Sequence, residues 1–194
     1  MGFIDFVLQL FDTFGVLAVL FFTDLSLWPV ARYILPRIKS RTAAAVFHLV
    51  TGLAFCYVMF ESQIIIAIIM ALVSYVTLHM STTIAIIVAA ILNSGIHIFL
   101  MIYSPEQWKF GITCLTMIAF HKILATAFNL KHYRDDKQGK KLREFQKQLA
   151  LSKVPNILEW FAYIFTPYGG NSGPTIEFKL FDLILETGNR EHIK

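Results

Sequence analysis

Between Ser62 and Pro105 the sequence contains no Asp, Glu, Lys or Arg. An amphipathic helix of a soluble domain keeps one face charged, so this run is foreign to a water-soluble fold. A bilayer-spanning helix takes about 20 apolar residues, and the run therefore holds two spans back to back, with a tight turn near His79 to Thr83. Charge is scarce throughout: 15% of the residues are charged and 56% are hydrophobic. That balance excludes a cytosolic or secreted globule and indicates a polytopic membrane protein. Cysteine is nearly missing. Cys56 and Cys114 both lie inside apolar runs and read as small packing residues rather than a disulfide. There is no Asn-x-Ser/Thr sequon, no internal repeat, no phosphate-binding glycine loop and no nucleophile elbow. No positive segment precedes the first apolar run, and Asp5 and Asp12 interrupt it, which argues against a cleaved signal peptide.

What charge there is sits in two basic clusters. The first holds Arg32, Arg37, Lys39 and Arg41, and the second runs from Lys131 to Lys153. Four long spans are expected between them, at 42–60, 64–79, 82–103 and 110–130. An even number of crossings puts both clusters on one side, and the excess of Lys and Arg makes that side cytosolic. The net charge of +4 thus bears on orientation and not on nucleic acid, for which no binding is expected. Residues 1–41 are broken by Asp12, Asp24 and Pro29 into short, partly interfacial helices followed by the basic loop. Segment 131–153 carries Leu142, Phe145 and Leu149 on one helical face among lysines. Such a helix lies on an anionic leaflet or packs on the spans, and both readings are open.

Segment 154–194 is less regular. Pro155 holds Val154 extended, and Asn156 with Glu159 resembles a capping box opening a short helix at 157–166. Two prolines and three glycines then fall within 167–174. Irregular backbone at membrane depth survives only inside protein or beside a watery cavity, so this loop is read as re-entrant. An amphipathic helix follows at 176–186, with Ile176, Leu180 and Ile184 on one face, and then a polar tail. The whole chain reads as a single all-α transmembrane domain.

An ionisable side chain inside a span is a candidate for function. Lys122 stands near the centre of the last span, with Thr126 and Asn129 on the same stripe and Ala119 and Ala125 allowing close approach. Either it lines a polar cavity for an anionic group, or it forms a buried ion pair with Glu159 or Asp24. His48, His79, His97 and His121 also lie in or at the ends of spans, without metal-ligand spacing. They read as interhelical hydrogen-bonding groups or as a proton relay.

Four ordered blocks carry a resemblance. They are Phe47-His48-Leu49-Val50-Thr51-Gly52-Leu53; the stretch from Met117 through Lys122 to Leu130; Pro155-Asn156-Ile157-Leu158-Glu159-Trp160 with Tyr163; and Tyr168 to Phe178 around Gly173-Pro174. Together they resemble the lysophospholipid acyltransferases of the membrane-bound O-acyltransferase (MBOAT) family, from about Arg32 onward. Where that family carries an Asp-Gly loop, this sequence has Asp135-Asp136-Lys137. The family's catalytic histidine lies in spans beyond the Gly-Pro loop, so the chain matches the N-terminal half of the fold. The resemblance implies acyl transfer from acyl-CoA, as co-substrate, to a lysophospholipid in the endoplasmic reticulum membrane. Lys122, Thr126, Asn129, Gly173 and Pro174 would line the substrate cavity, and Pro155, Glu159 and Tyr163 would mark the motif helix. No residue here takes the catalytic role, and no bound cofactor or metal is implied. The expectation is a chain inactive by itself. The other reading is a non-catalytic lipid-binding or regulatory membrane protein that pairs with a full-length acyltransferase or with itself. A small transporter or channel subunit fits the intramembrane histidines but leaves the Gly/Pro loop unexplained.

Overall fold

The computed structural model describes Pro29 and residues 33–103, 112–166 and 175–186. The expected N-terminal helices, the 167–174 loop with Gly173 and Pro174, and the polar tail lie outside the described residues. Among the described residues all regular structure is helical. Among the described residues a 3-10 turn at Leu35–Arg37 precedes α1 (Arg41–Phe60). Ser40 caps α1, its hydroxyl accepting from the Ala43 amide at 3.4 Å. Glu61 ends it at φ 49°, the only positive φ at a non-glycine residue among the described residues. After a short 3-10 turn, Glu61–Gln63, the chain enters α2 (Ile64–Met80). Ser81 alone, extended at φ −162°, separates α2 from α3 (Thr82–Tyr103). The expected turn near His79 to Thr83 is thus one residue long.

Among the described residues three helical stretches are long and apolar enough to cross a membrane: Arg41–Met80, Thr82–Tyr103 and Ile112–Lys137. The first spans 40 residues and would reach about 60 Å if straight. Its two ends nevertheless meet, because Arg41 and His79 line the same cavity. The stretch is therefore folded back on itself at Glu61, giving α1 and α2 as two separate limbs.

The last long helix, α4 (Ile112–Lys137), runs seven residues past the expected end at Leu130. The expected boundary followed the first charge, but helical hydrogen bonding does not stop at the edge of lipid. It stops at Gly139, whose φ of +74° closes a Schellman motif. There the Lys140 amide donates to Asp135 O at 3.0 Å and the Gly139 amide to Asp136 O at 2.9 Å. The expected amphipathic helix shrinks to α5 (Glu144–Leu149). Its Phe145 is 66% exposed while Leu142 and Leu149 are half-buried, so the three do not share one face. The chain then turns back along α4, and the Leu151 amide donates to Asn129 O at 3.0 Å.

α6 (Ile157–Phe165) is the short helix expected at 157–166. Asn156 caps it, accepting from the Glu159 amide at 2.9 Å. Glu159 does not return the bond as a capping box would, because its carboxylate is held by Arg41. α6 is wedged between α1 and α2. The Trp160 indole donates to Ala71 O of α2 at 2.9 Å, and Phe165 lies against Gly52 of α1. Around it Ala67, Ala71, Ala85, Ala89, Ala119 and Ala127 are fully buried, and these small side chains let α2, α3 and α4 pack closely. In α7 (Phe178–Glu186) the buried face is Phe178, Phe181 and Leu185, not the expected Ile176, Leu180 and Ile184. Both faces are apolar, and the one carrying two phenylalanines wins by stacking. Phe178 meets Tyr163 edge-on at 5.2 Å, and Phe181 meets His48 at 5.3 Å.

The opposite faces are oily and open. Ile84, Ile87, Ile91, Ile98 and Ile102 of α3 are all exposed, as are Ile65, Ile69, Leu72 and Val76 of α2. Such surface matches lipid tails.

A Cβ placed on Gly52 would sit 2.0 Å from the Phe165 carbonyl oxygen, whereas one on Gly95 of α3 would meet nothing within 4 Å. Gly52→Ala is expected to destabilise the fold by about 1–3 kcal/mol through overpacking, and Gly95→Ala to leave it unchanged. Thermal unfolding of the two variants in the same detergent checks this.

Candidate functional site

Two polar knots fix α6, one at each end. At its C-terminal end the helix leaves carbonyl oxygens without intrahelical partners, which in lipid must find other donors. Lys122 of α4 supplies them. Its ammonium donates to Tyr163 O at 2.9 Å, Ile164 O at 3.0 Å and Thr166 O at 3.3 Å. The side chain is 1% exposed, and its Nζ stands 5.4 Å from the Tyr163 ring centroid. A lysine has three donors, and all three are used. The helix dipole adds to the fit, since it places partial negative charge at this end. The ion pair expected for Lys122 with Glu159 or Asp24 is replaced by this carbonyl cradle in Glu159's case; Asp24 lies outside the described residues.

The remaining stripe continues the same seam. Thr126 returns its hydroxyl to Lys122 O at 2.9 Å. Asn129 donates to Glu177 Oε2 at 2.8 Å, and Tyr163 donates to Ile176 O at 2.8 Å. Lys122, Thr126 and Asn129 are therefore brought together with Tyr163, all of them on the seam between α4, α6 and the strap at 175–177. A side chain buried this way is a joint, not an open wall. The polar face of α4, which would meet lipid unless covered, is covered by this chain's own α6 and strap.

At the N-terminal end of α6 lies the second knot, which sequence reasoning missed. Arg41, at the start of α1, donates from Nε to Glu159 at 2.5 Å, from one terminal nitrogen to Asp182 at 2.5 Å and from the other to Glu186 at 3.3 Å. The forked guanidinium can serve three carboxylates at once, which a lysine in the same place could not do with this geometry. Reading Arg41 only as one of a basic cluster hid this. The available signal was the carboxylate pair Asp182 and Glu186, one helical turn apart, in a C-terminal segment where acidic residues outnumber lysine and arginine.

Beside this knot opens a cavity of about 500 Å³. It is walled by the end of α2 (Tyr75, His79), the end of α4 (Tyr133), the 150–156 segment and the outer faces of α6 and α7. Pro155 and Glu159 line it; Lys122, Thr126, Asn129 and Tyr163 do not. The Tyr75 hydroxyl donates to Pro155 O at 3.3 Å, closing one side. Arg41, Tyr133 and Lys153 belong to or flank the two basic clusters, so both clusters meet at this end of the molecule.

The histidines separate in role. His48 is buried, with Nδ1 at 3.2 Å from the Thr166 hydroxyl. His79 and His121 are exposed and each contacts the carbonyl four residues earlier in its helix. Among the described residues no cluster of His, Cys, Asp or Glu could hold a metal ion, and both cysteines are free. Neither a protein-family model nor a curated protein matches this chain.

Removing the ammonium while keeping the length of the side chain isolates the C-terminal knot. Lys122→Met should cost about 3 kcal/mol or more, since charged hydrogen bonds are lost and buried carbonyls are left bare. It should also raise hydrogen exchange across Trp160 to Phe165 well before the long helices open. Unchanged exchange there would mean that the lysine does not hold α6.

Proposed function

We propose that this chain is a lysophospholipid acyltransferase scaffold of the membrane-bound O-acyltransferase type, corresponding to the N-terminal half of that multi-span fold. It sits in the endoplasmic reticulum membrane with its basic loops cytosolic. Its part in acyl transfer from acyl-CoA to a lysophospholipid is to form and hold the substrate chamber, not to supply the base. The observation that carries this reading is the inserted helix α6, pinned inside the long helices by Lys122 beside a polar cavity. The resemblance to the family's motif helix falls on this same element, through Pro155, Glu159 and Tyr163. A base for a lipid hydroxyl must lie within hydrogen-bond reach of it. Among the described histidines, only His79 lines the cavity, and it is exposed.

A second reading is favoured by the closure of the polar seam within the chain itself. A module whose buried charges are already satisfied can bind lipid on its own and regulate a full-length acyltransferase by pairing with it. Both readings require lysophospholipid binding.

The test uses the purified chain in nanodiscs, a photoreactive lysophospholipid and radiolabelled acyl-CoA. Labelling that unlabelled lysophospholipid competes away, with no acyl transfer by the chain alone, is the expected result. Histidine-dependent transfer would overturn the assignment of the base elsewhere. Failure of any lysophospholipid to label the chain would overturn the lipid-binding function itself. A change in the transfer rate of a full-length acyltransferase when the chain is added, with none by the chain alone, would select the second reading.

A further inference from the structure

We propose that the cavity beside Arg41 binds a zwitterionic phosphate–amine head group, of the phosphocholine or phosphoethanolamine kind. This rests on the lysophospholipid reading above and narrows it to a head-group class.

The first support is charge balance. The cavity is lined by three cationic residues, Arg41, Lys153 and Lys179, and by three carboxylates, Glu159, Asp182 and Glu186. A site for a strongly anionic ligand would carry an excess of cations. A balanced lining suits a ligand that carries one charge of each sign. The second support is that the two signs are unequally committed. Arg41 is spent on the carboxylates that pin α6 and α7. Lys153 makes no ion pair with a described carboxylate, which leaves its ammonium for a phosphate. Glu186 holds Arg41 only at 3.3 Å, and its side chain is 58% exposed. It is the carboxylate most able to turn toward a ligand's ammonium.

The third support is aromatic. Tyr75 and Tyr133 line the same space, and tyrosine faces attract alkylated ammonium groups. Tyr133 already takes a cation on its ring, with Lys137 Nζ 4.9 Å from the centroid. The fourth is depth. Tyr133 lies three helical turns beyond Lys122 on α4, roughly 16 Å along its axis. That is about half the thickness of the hydrocarbon core, so a cavity at Tyr133 lies at the level of lipid head groups when Lys122 lies near the midplane.

The experiment is a competition panel against the photoreactive lysophospholipid, on the whole chain in nanodiscs. Competitors are lysophosphatidylcholine, lysophosphatidylethanolamine, lysophosphatidylglycerol, lysophosphatidylinositol and water-soluble glycerophosphocholine. The two zwitterionic lysolipids should compete about tenfold better than the two anionic ones, the effect of one good charged contact. Glu186→Gln should weaken the zwitterionic competitors about fivefold, as for a partly exposed ion pair, and should not weaken the anionic ones. Lys153→Gln should weaken all the lysolipids. Glycerophosphocholine competing as well as lysophosphatidylcholine would support the site with a soluble source for its ligand, and its failure to compete would support the lipid source. Equal competition by all head groups, or competition unaltered by both variants, would overturn the head-group site while leaving lysophospholipid binding intact. If no lysophospholipid labels the chain at all, the parent reading fails instead.

Discussion

The fold depends on one ammonium group reaching three carbonyl oxygens. In water, the last carbonyls of a short helix are satisfied by solvent, and no particular side chain is needed. In lipid that option is gone, and a helix of nine residues cannot end inside the hydrophobic layer without donors. Lys122 lets α6 end there. The bond is reciprocal: a buried lysine on a lone span would also be costly, and α6 gives it the partners that make it tolerable. Neither element is stable at that depth without the other.

The Arg41 knot complements this from the opposite end of α6. Asn156 and Glu159 lie in its first turn, and Glu159 ties that turn to the start of α1. Asp182 and Glu186 bring α7 to the same guanidinium. A short helix held at both termini cannot slide along its neighbours. Gly52 then fixes how near α6 stands to α1, since any side chain there would strike the Phe165 backbone. The cavity wall that includes Glu159 and Asp182 is tied to the start of α1 through Arg41.

The long helices were legible because lipid imposes length and composition together. The breaks at Glu61, Ser81 and Gly139 fall where a charge, a polar run and a glycine stand in the sequence. Lys122, Thr126 and Asn129 were legible as a polar stripe by spacing alone. Their partners were not, because backbone carbonyls leave no mark in sequence: every residue has one. Arg41 was misread for the opposite reason. Its charge was visible, but it sat among other basic residues, and its three carboxylates come from positions more than a hundred residues away. The buried face of α7 was misjudged because Leu180 and Ile184 are as apolar as Phe181, and only tertiary stacking on Tyr163 and His48 decides between the faces.

The separation of the two knots bears on how a chamber of this kind could work. Charge inside an apolar helix bundle must be fully engaged, and Lys122 is; its three donors are all taken by carbonyl oxygens. Charge at the head-group level can remain partly free, because water and lipid phosphates lower the cost of exposing it. On the lipid-binding function proposed above, recognition of a polar ligand belongs beside Arg41 and Lys153, while the seam around Lys122 holds α6 in place. A substitution at the first site should change which ligand binds; a substitution at the second should change whether the binding wall exists.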